Sequence, residues 1–137
     1  MNRTRIAVAD DCDAVLSLWE ACDLTRPWND AAADFTRAVE NPAADILCLE
    51  KEGHLMATVM VGYDGHRGWV YYLGVAPDSR MHGLGREMML AAEHWLLERR
   101  APKIQLMVRE DNEQAIGFYE ALGYEVQPVV TIGRRFE

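Results

Sequence analysis

The chain is poor in cysteine, in basic charge and in long apolar runs. Cys12, Cys22 and Cys48 are its only cysteines, an odd set without CxxC or Cys/His metal spacing, so a disulfide framework and a zinc site are both excluded as organising devices. They read as small core residues in a reducing compartment. No histidine stands close in sequence to activate one as a nucleophile. No metal site is expected.

Lys and Arg total 14 against 22 Asp and Glu, a net charge of -8. Nucleic acid and anionic membrane both reward a basic face, so neither is expected as a partner. The acidity suits a cationic substrate, and equally the solubility of an ordinary protein. No apolar run approaches the ~20 residues of a membrane span, and MNRTRIAVADD lacks the apolar segment of a secretory signal. A cytoplasmic location is expected.

What remains is a chain of 137 residues, half of them apolar, read as a single domain over residues 1–137. A chain of this size buries about two thirds of its unfolded surface. RIAVA alternates and predicts a short strand, ended by Asp10 and Asp11, either of which can cap a helix carrying Val15, Leu18, Trp19 and Cys22. After TRPWND, Asn29 or Asp30 caps a second helix with Phe35, Ala38 and Val39 on its apolar side. ILCLE, HLMATVMVGY and GWVYYLGVA, separated by Gly53 and by Asp64-Gly65, predict three strands joined as hairpins.

A long helix comes next, with Leu84, Met88, Ala91, Ala92, Trp95 and Arg99 along one side. Then come a strand KIQLMV, a helix from about Asn112 to Leu122 stopped by Gly123, and a final strand pair around YEVQP and VVTIGRRF. The unit from Trp69 to Val108 should be a crossover between parallel strands, with its ligand beyond their carboxyl ends.

The segment VAPDSRMHGLGREMM stands at that position. Pro77 ends the strand, Gly83 and Gly85 admit a ligand close to the backbone, and the helix after them offers unpaired N–H groups and a positive dipole end. This is either an anion cradle, aided by Arg80 and Arg86, or a glycine-rich turn that binds nothing. Methionine at position 88 denies the dinucleotide fingerprint its last glycine, and no Lys-Ser or Lys-Thr comes after the glycines as a P-loop requires.

Arg80-x-x-Gly83-x-Gly85 after a Val75-x-Pro77 strand end, with Asn112, Ala115 and FYEALGY downstream, resembles the GNAT superfamily of N-acetyltransferases. CDLTRPWND and GYDGHRG are similar to small bacterial members of the YpeA type. The resemblance covers nearly the whole chain. It implies an α/β fold with a mixed central sheet of about seven strands flanked by about four helices. It also implies acetyl-CoA as cosubstrate, an amine as acceptor, and dimers through the sheet edge or C-terminal strands in many relatives.

Under this resemblance Arg80, Met81, His82, Gly83, Leu84, Gly85 and Arg86 meet the pyrophosphate, and pantetheine pairs with Leu73, Gly74 and Val75. Gly74 also suits a bulge where the strand edge splays open. The Val75 N–H would polarise the thioester carbonyl, a contribution of ~3 kcal/mol. Tyr119 would be the general acid for the departing sulfur, at an expected ten- to thousandfold in rate. A phenol near pKa 10 giving its proton to a thiolate near 8.5 works about 2 kcal/mol uphill, so a strong hydrogen bond can serve as well. Asn112 caps its helix or touches pantetheine.

The base is not assigned. Relatives that acetylate ribosomal protein N-termini carry a glutamate where this chain has Met107, which takes no proton. Asp64, His66, Tyr71, Glu110 and Asp111 are candidates, each with an ordinary structural explanation. Trp28, Asn29 and Asp30 could wall the acceptor site, or serve as core and cap. Direct acetyl transfer to a primary amine is the reading adopted; an acyl-CoA-binding sensor or regulatory module is the alternative.

Overall fold

Among the described residues five stretches extend as strands: β1 (Thr4–Ile6), β2 (Ala44–Lys51), β3 (His54–Tyr63), β4 (Gly68–Val75) and β5 (Ile104–Gln105). Four coil as helices: α1 (Cys12–Ala21), α2 (Ala31–Glu40), α3 (Leu84–Glu98) and α4 (Glu113–Ala121). The computed structural model describes residues 3–136. These divide into a larger compact unit ending at Leu106 and a smaller one beginning at Met107. The strand order is β1-β2-β3-β4-β5, antiparallel except for the parallel pair β4–β5.

The hairpin turns fix this order. Glu52 and Gly53 both take positive φ, 54° and 78°, the two-residue connection whose twist matches the strands it joins. Between β3 and β4 the loop runs from Asp64 to Arg67, longer than an Asp-Gly turn alone, because the Asp64 carboxylate accepts the N–H groups of His66 and Arg67, each at 2.7 Å. Asp30 caps α2 by accepting the Ala33 N–H at 3.0 Å, as its place after TRPWN suggests. Asp11 does not cap α1 with its side chain. Its carboxylate instead takes two bonds from Arg5 at 2.8 Å and the Val8 N–H at 2.7 Å, and the guanidinium holds that carboxyl below the usual range.

Val15 and Trp19 of α1 and Phe35 and Ala38 of α2 form one buried cluster with Ile46 and Cys48 of β2. Burial pushes the Cys48 thiol up to about 11, so it is an inert packing residue. Helix α3 buries Leu84, Met88, Met89, Ala92, Trp95 and Leu96. The Trp95 N–H bonds Asp45 at 2.9 Å, and the Arg99 guanidinium lies 3.5 Å from the centroid of the Trp95 ring.

At Gly68 the side chain of Leu96 of α3 packs directly against the β4 backbone. A methyl group there would come within 2.5 Å of both terminal carbons of the buried Leu96. Gly68→Ala should therefore destabilise the fold by about 1–3 kcal/mol through overpacking. Urea unfolding will show this as a lower midpoint at unchanged slope.

The sheet has five strands among the described residues, rather than about seven. KIQLMV contributes only the two residues of β5, and YEVQP and VVTIGRRF form no strand. At the join of the two terminal segments Pro128 offers no N–H, and the Val129 N–H is spent on the Gln127 carbonyl at 2.9 Å, so neither residue can donate to a ladder there. Val126, Val129, Val130, Ile132 and Phe136 stand exposed. No helix among the described residues is long and apolar enough to cross a membrane.

Candidate functional site

The end of β4 is bent by a bulge. Thr58 faces Gly74 while Met60 faces Tyr71, so Tyr72 and Leu73 together oppose Val59, and Tyr72 takes φ 54°. For a tyrosine this conformation costs about 1–3 kcal/mol unless its surroundings hold it. The bulge thus lies at Tyr72–Leu73 rather than at Gly74. Gly74 lacks a side chain for another reason: a Cβ there would approach Leu24 to 3.0 Å and the Cys22 sulfur to 3.2 Å.

Beyond the bulge the pairing is regular, and it orients Val75. The Ala76 N–H bonds the Met56 carbonyl of β3 at 2.8 Å, so the N–H and C=O of Val75 point to the opposite edge. There the Val75 carbonyl accepts the Cys22 S–H at 3.2 Å and the Arg80 Nε–H at 3.3 Å. On this edge β5 pairs with β4 only at Gly68 and Trp69. From Val70 to Val75 the edge carries no further ladder among the described residues, and the Val75 N–H is directed outward from it.

The chain then turns through Pro77–Ser79 into α3. Met81 and Gly83 take positive φ, 69° and 75°, and Gly83 is the N-cap residue, with no side chain to cap the helix. The first-turn N–H groups of Leu84, Gly85 and Arg86 are left pointing out of the helix start, where the dipole is positive. The first acid of the turn, Glu87, is bound by Arg3 at 2.7 and 3.0 Å, which lowers its pKa and offsets its charge. Arg80, His82 and Arg86 are exposed beside this loop. The arrangement suits an extended anion lying from the helix start along the open strand edge.

The other candidates of the larger unit lie on turns and on the face of β4. Trp28 is half exposed in the turn before α2, where the Asn29 N–H bonds the Arg26 carbonyl. The exposed Asp64 is held below the usual carboxylate range by the Arg67 and His66 N–H groups that shape its turn, and it also accepts the Trp69 indole N–H at 3.3 Å. His66 is exposed in the same turn. Tyr71 is exposed on β4, with its phenol pushed up by desolvation and then by Asp64.

In the smaller unit Asn112 caps α4 through the Ala115 N–H at 3.1 Å. Tyr119 packs edge-on to Phe118 and Tyr124, with centroids 5.0 and 5.8 Å away, and burial pushes its phenol up to about 12. Glu110 and Asp111 are exposed before α4, as is Met107. No group of three or more metal-binding side chains occurs among the described residues.

Sequence reading missed Tyr72, which forms the bulge with Leu73, its partners Trp19, Asp34 and Thr58, and Cys22 beside Gly74. Trp19 and Cys22 are spaced three apart, hence on one helix face. That was the available signal, and it also fits plain core packing.

The Acetyltransferase (GNAT) family matches residues 12–124. Acetyltransferase ECA0875 of Pectobacterium atrosepticum is 48% identical over 131 residues, covering 96% of this chain and 93% of that protein. Among solved structures, AAC(6')-Iy in complex with the bisubstrate analog CoA-S-monomethyl-acetylneamine has a TM-score of 0.81 at 14% identity, covering 96% of each chain. The ribosomal-protein-S18-alanine N-acetyltransferase of Escherichia coli has a TM-score of 0.77 at 24% identity, covering 90% of this chain and 77% of that one.

Proposed function

Because the chain belongs to the GNAT acetyltransferase family, we propose that it transfers an acetyl group from acetyl-CoA directly to a primary amine. The observation that carries this reading is the pairing of an uncapped α3 start with an outward Val75 N–H at the end of a strand edge. The pyrophosphate of CoA meets the N–H groups from Met81 to Arg86, with Arg80 and Arg86 adding charge. Pantetheine runs along Leu73 to Val75. The CoA-containing analog bound by AAC(6')-Iy supports this ligand for the fold, and the family match running from 12 to 124 supports one acetyltransferase domain.

The thioester dictates the chemistry. A neutral amine adds to the carbonyl carbon, and the oxygen gains negative charge toward the Val75 N–H. The C–S bond then breaks and the electron pair leaves on the CoA sulfur. Tyr119 keeps the role that the resemblance gives it, donating a hydrogen bond or proton to that sulfur. An amine near pKa 10.4 is neutral in only about one molecule in a few thousand at neutral pH, so a base or water path accelerates the first step. With Asp64 engaged by its own turn, water relayed to an exposed acid is the simplest route.

Calorimetric titration with acetyl-CoA, desacetyl CoA and NAD tests the reading. Binding of both CoA forms and not of NAD is expected, and then release of CoA thiol when an effective amine is supplied. Folded protein that binds neither CoA form overturns it. Binding without thiol release across amino acids, polyamines, aminoglycosides and peptide N-termini identifies an acyl-CoA sensor instead.

A further inference from the structure

Tyr72 holds a left-handed backbone conformation, φ 54°, inside a strand. Glycine or asparagine adopts it far more easily, yet the chain places a tyrosine there and surrounds it. The ring stacks on Trp19 of α1, with centroids 3.8 Å apart and planes within 10°. The hydroxyl donates to Asp34 of α2 at 2.7 Å, and Asp34 also accepts from Arg37 at 2.6 Å. The Tyr72 carbonyl accepts the Thr58 hydroxyl at 3.1 Å, and the Thr58 oxygen accepts the Trp19 indole N–H at 3.0 Å. Thr58 and Trp19 are fully buried, so the bond between them is shielded from competing water.

This closed set of bonds ties both helices to a bulge whose next residues are Leu73, Gly74 and Val75. A bulge bends its strand and re-aims the residues beyond it. We propose that Tyr72 is a positioning residue for acyl transfer: the clamp of Trp19, Thr58, Tyr72 and Asp34 locks the bulge and thereby the β3–β4 pairing beyond it, which directs the Val75 N–H. The effect on rate rests on the acetyltransferase reading above; the effect on Val75 rests on the geometry of the larger unit alone.

The test compares the wild-type chain with Tyr72→Asn and Tyr72→Phe. Asparagine accepts the backbone conformation but removes the ring and the Asp34 bond, whereas phenylalanine keeps the stack. Each is assayed for kcat and KM with acetyl-CoA below its unfolding transition, and the Val75 amide is monitored by nitrogen-15 NMR. Tyr72→Asn should lower kcat about ten- to hundredfold, the scale of a small misplacement, with KM within about threefold, and should move the Val75 resonance. Tyr72→Phe should recover most of both. A folded Tyr72→Asn with unchanged kcat and an unmoved Val75 resonance overturns the proposal.

If the wild type turns over no amine, the acetyltransferase reading fails, and the Val75 resonance alone decides the clamp. If Tyr72→Asn does not fold, Thr58→Val removes the Thr58 bonds to Tyr72 and Trp19. It is then expected to move the Val75 resonance, and an unmoved resonance overturns the clamp.

Discussion

The double variant Gly83→Asp, Gly85→Asp should lose acetyl-CoA binding by at least about a hundredfold, roughly 3 kcal/mol, while remaining folded. The fold has room for the change at Gly83, since a Cβ there meets nothing within 4 Å. Its φ of 75° is one that aspartate tolerates better than most residues. The expected loss comes from charge. Each carboxylate set beside the α3 start faces the pyrophosphate at close range, where a pair of like charges costs up to about 4 kcal/mol near a protein surface. It also competes for the same N–H groups, as an acidic N-cap does.

Gly83→Asn, Gly85→Asn separates the two effects. Amides compete for the N–H groups without repelling phosphate, so this variant should fall between wild type and the aspartate pair. Calorimetry gives the affinities, and thermal unfolding gives the control. Retained affinity in the aspartate variant would mean that the helix start is not where the phosphates lie.

Tyr119→Phe is expected to reduce turnover about ten- to hundredfold, with the affinity for acetyl-CoA little changed. Burial strengthens the case for a hydrogen bond over complete proton transfer. With its phenol pushed up to about 12, giving the proton to a thiolate near 8.5 is about 5 kcal/mol uphill. A hydrogen bond to a charged acceptor contributes about 1.5–3 kcal/mol, which is the source of the expected loss.

The direction of the shift also fixes the pH dependence. A raised pKa keeps Tyr119 protonated until pH passes about 12, so its donor role is fully present below that and lost only as pH rises through it. Between about pH 7 and 10 the rate should climb with amine deprotonation in both proteins. The two profiles should run parallel, offset by the lost bond. A fall near pH 8 to 9 in the wild type alone would show that Tyr119 titrates there and would overturn this assignment.

The features that were legible in the sequence are those set by residues close together in the chain. Gly83 stands where φ is positive and where α3 begins without a side-chain cap. Gly53 marks a tight hairpin, and Asp30 and Asn112 cap the helices they precede. Features set across the chain were not legible. Arg3 and Glu87 are separated by 84 positions, and nothing in RTRI indicates which carboxylate it meets. Asp11 looks like a cap until Arg5 claims its oxygens.

The bulge illustrates the limit most directly. Glycine is the residue that local rules assign to a bulge, which pointed to Gly74. The fold pays for a tyrosine instead with partners from α1, α2 and β3, and no local rule anticipates them. The terminal strand pair failed for the converse reason. YEVQP and VVTIGRRF have strand composition, but composition does not supply a ladder partner, and at their join Pro128 and Val129 have no N–H to give one.

The strand order has a kinetic meaning as well. Strands β2, β3 and β4 are neighbours both in the sheet and in the sequence, so their pairing closes short loops at small entropic cost. By contrast, β1 reaches β2 only across both α1 and α2, and β5 reaches β4 only across α3. The central meander is therefore the natural nucleus of folding, with the edge strands joining afterwards. Destabilising changes at the Glu52-Gly53 turn then act mainly by slowing folding, and changes around Arg5 and Asp11 mainly by hastening unfolding. The lifetime of the native state is accordingly expected to depend on the edges of the sheet more than on the hairpins, and unfolding rates of variants at Arg5 and at Gly53 will check this.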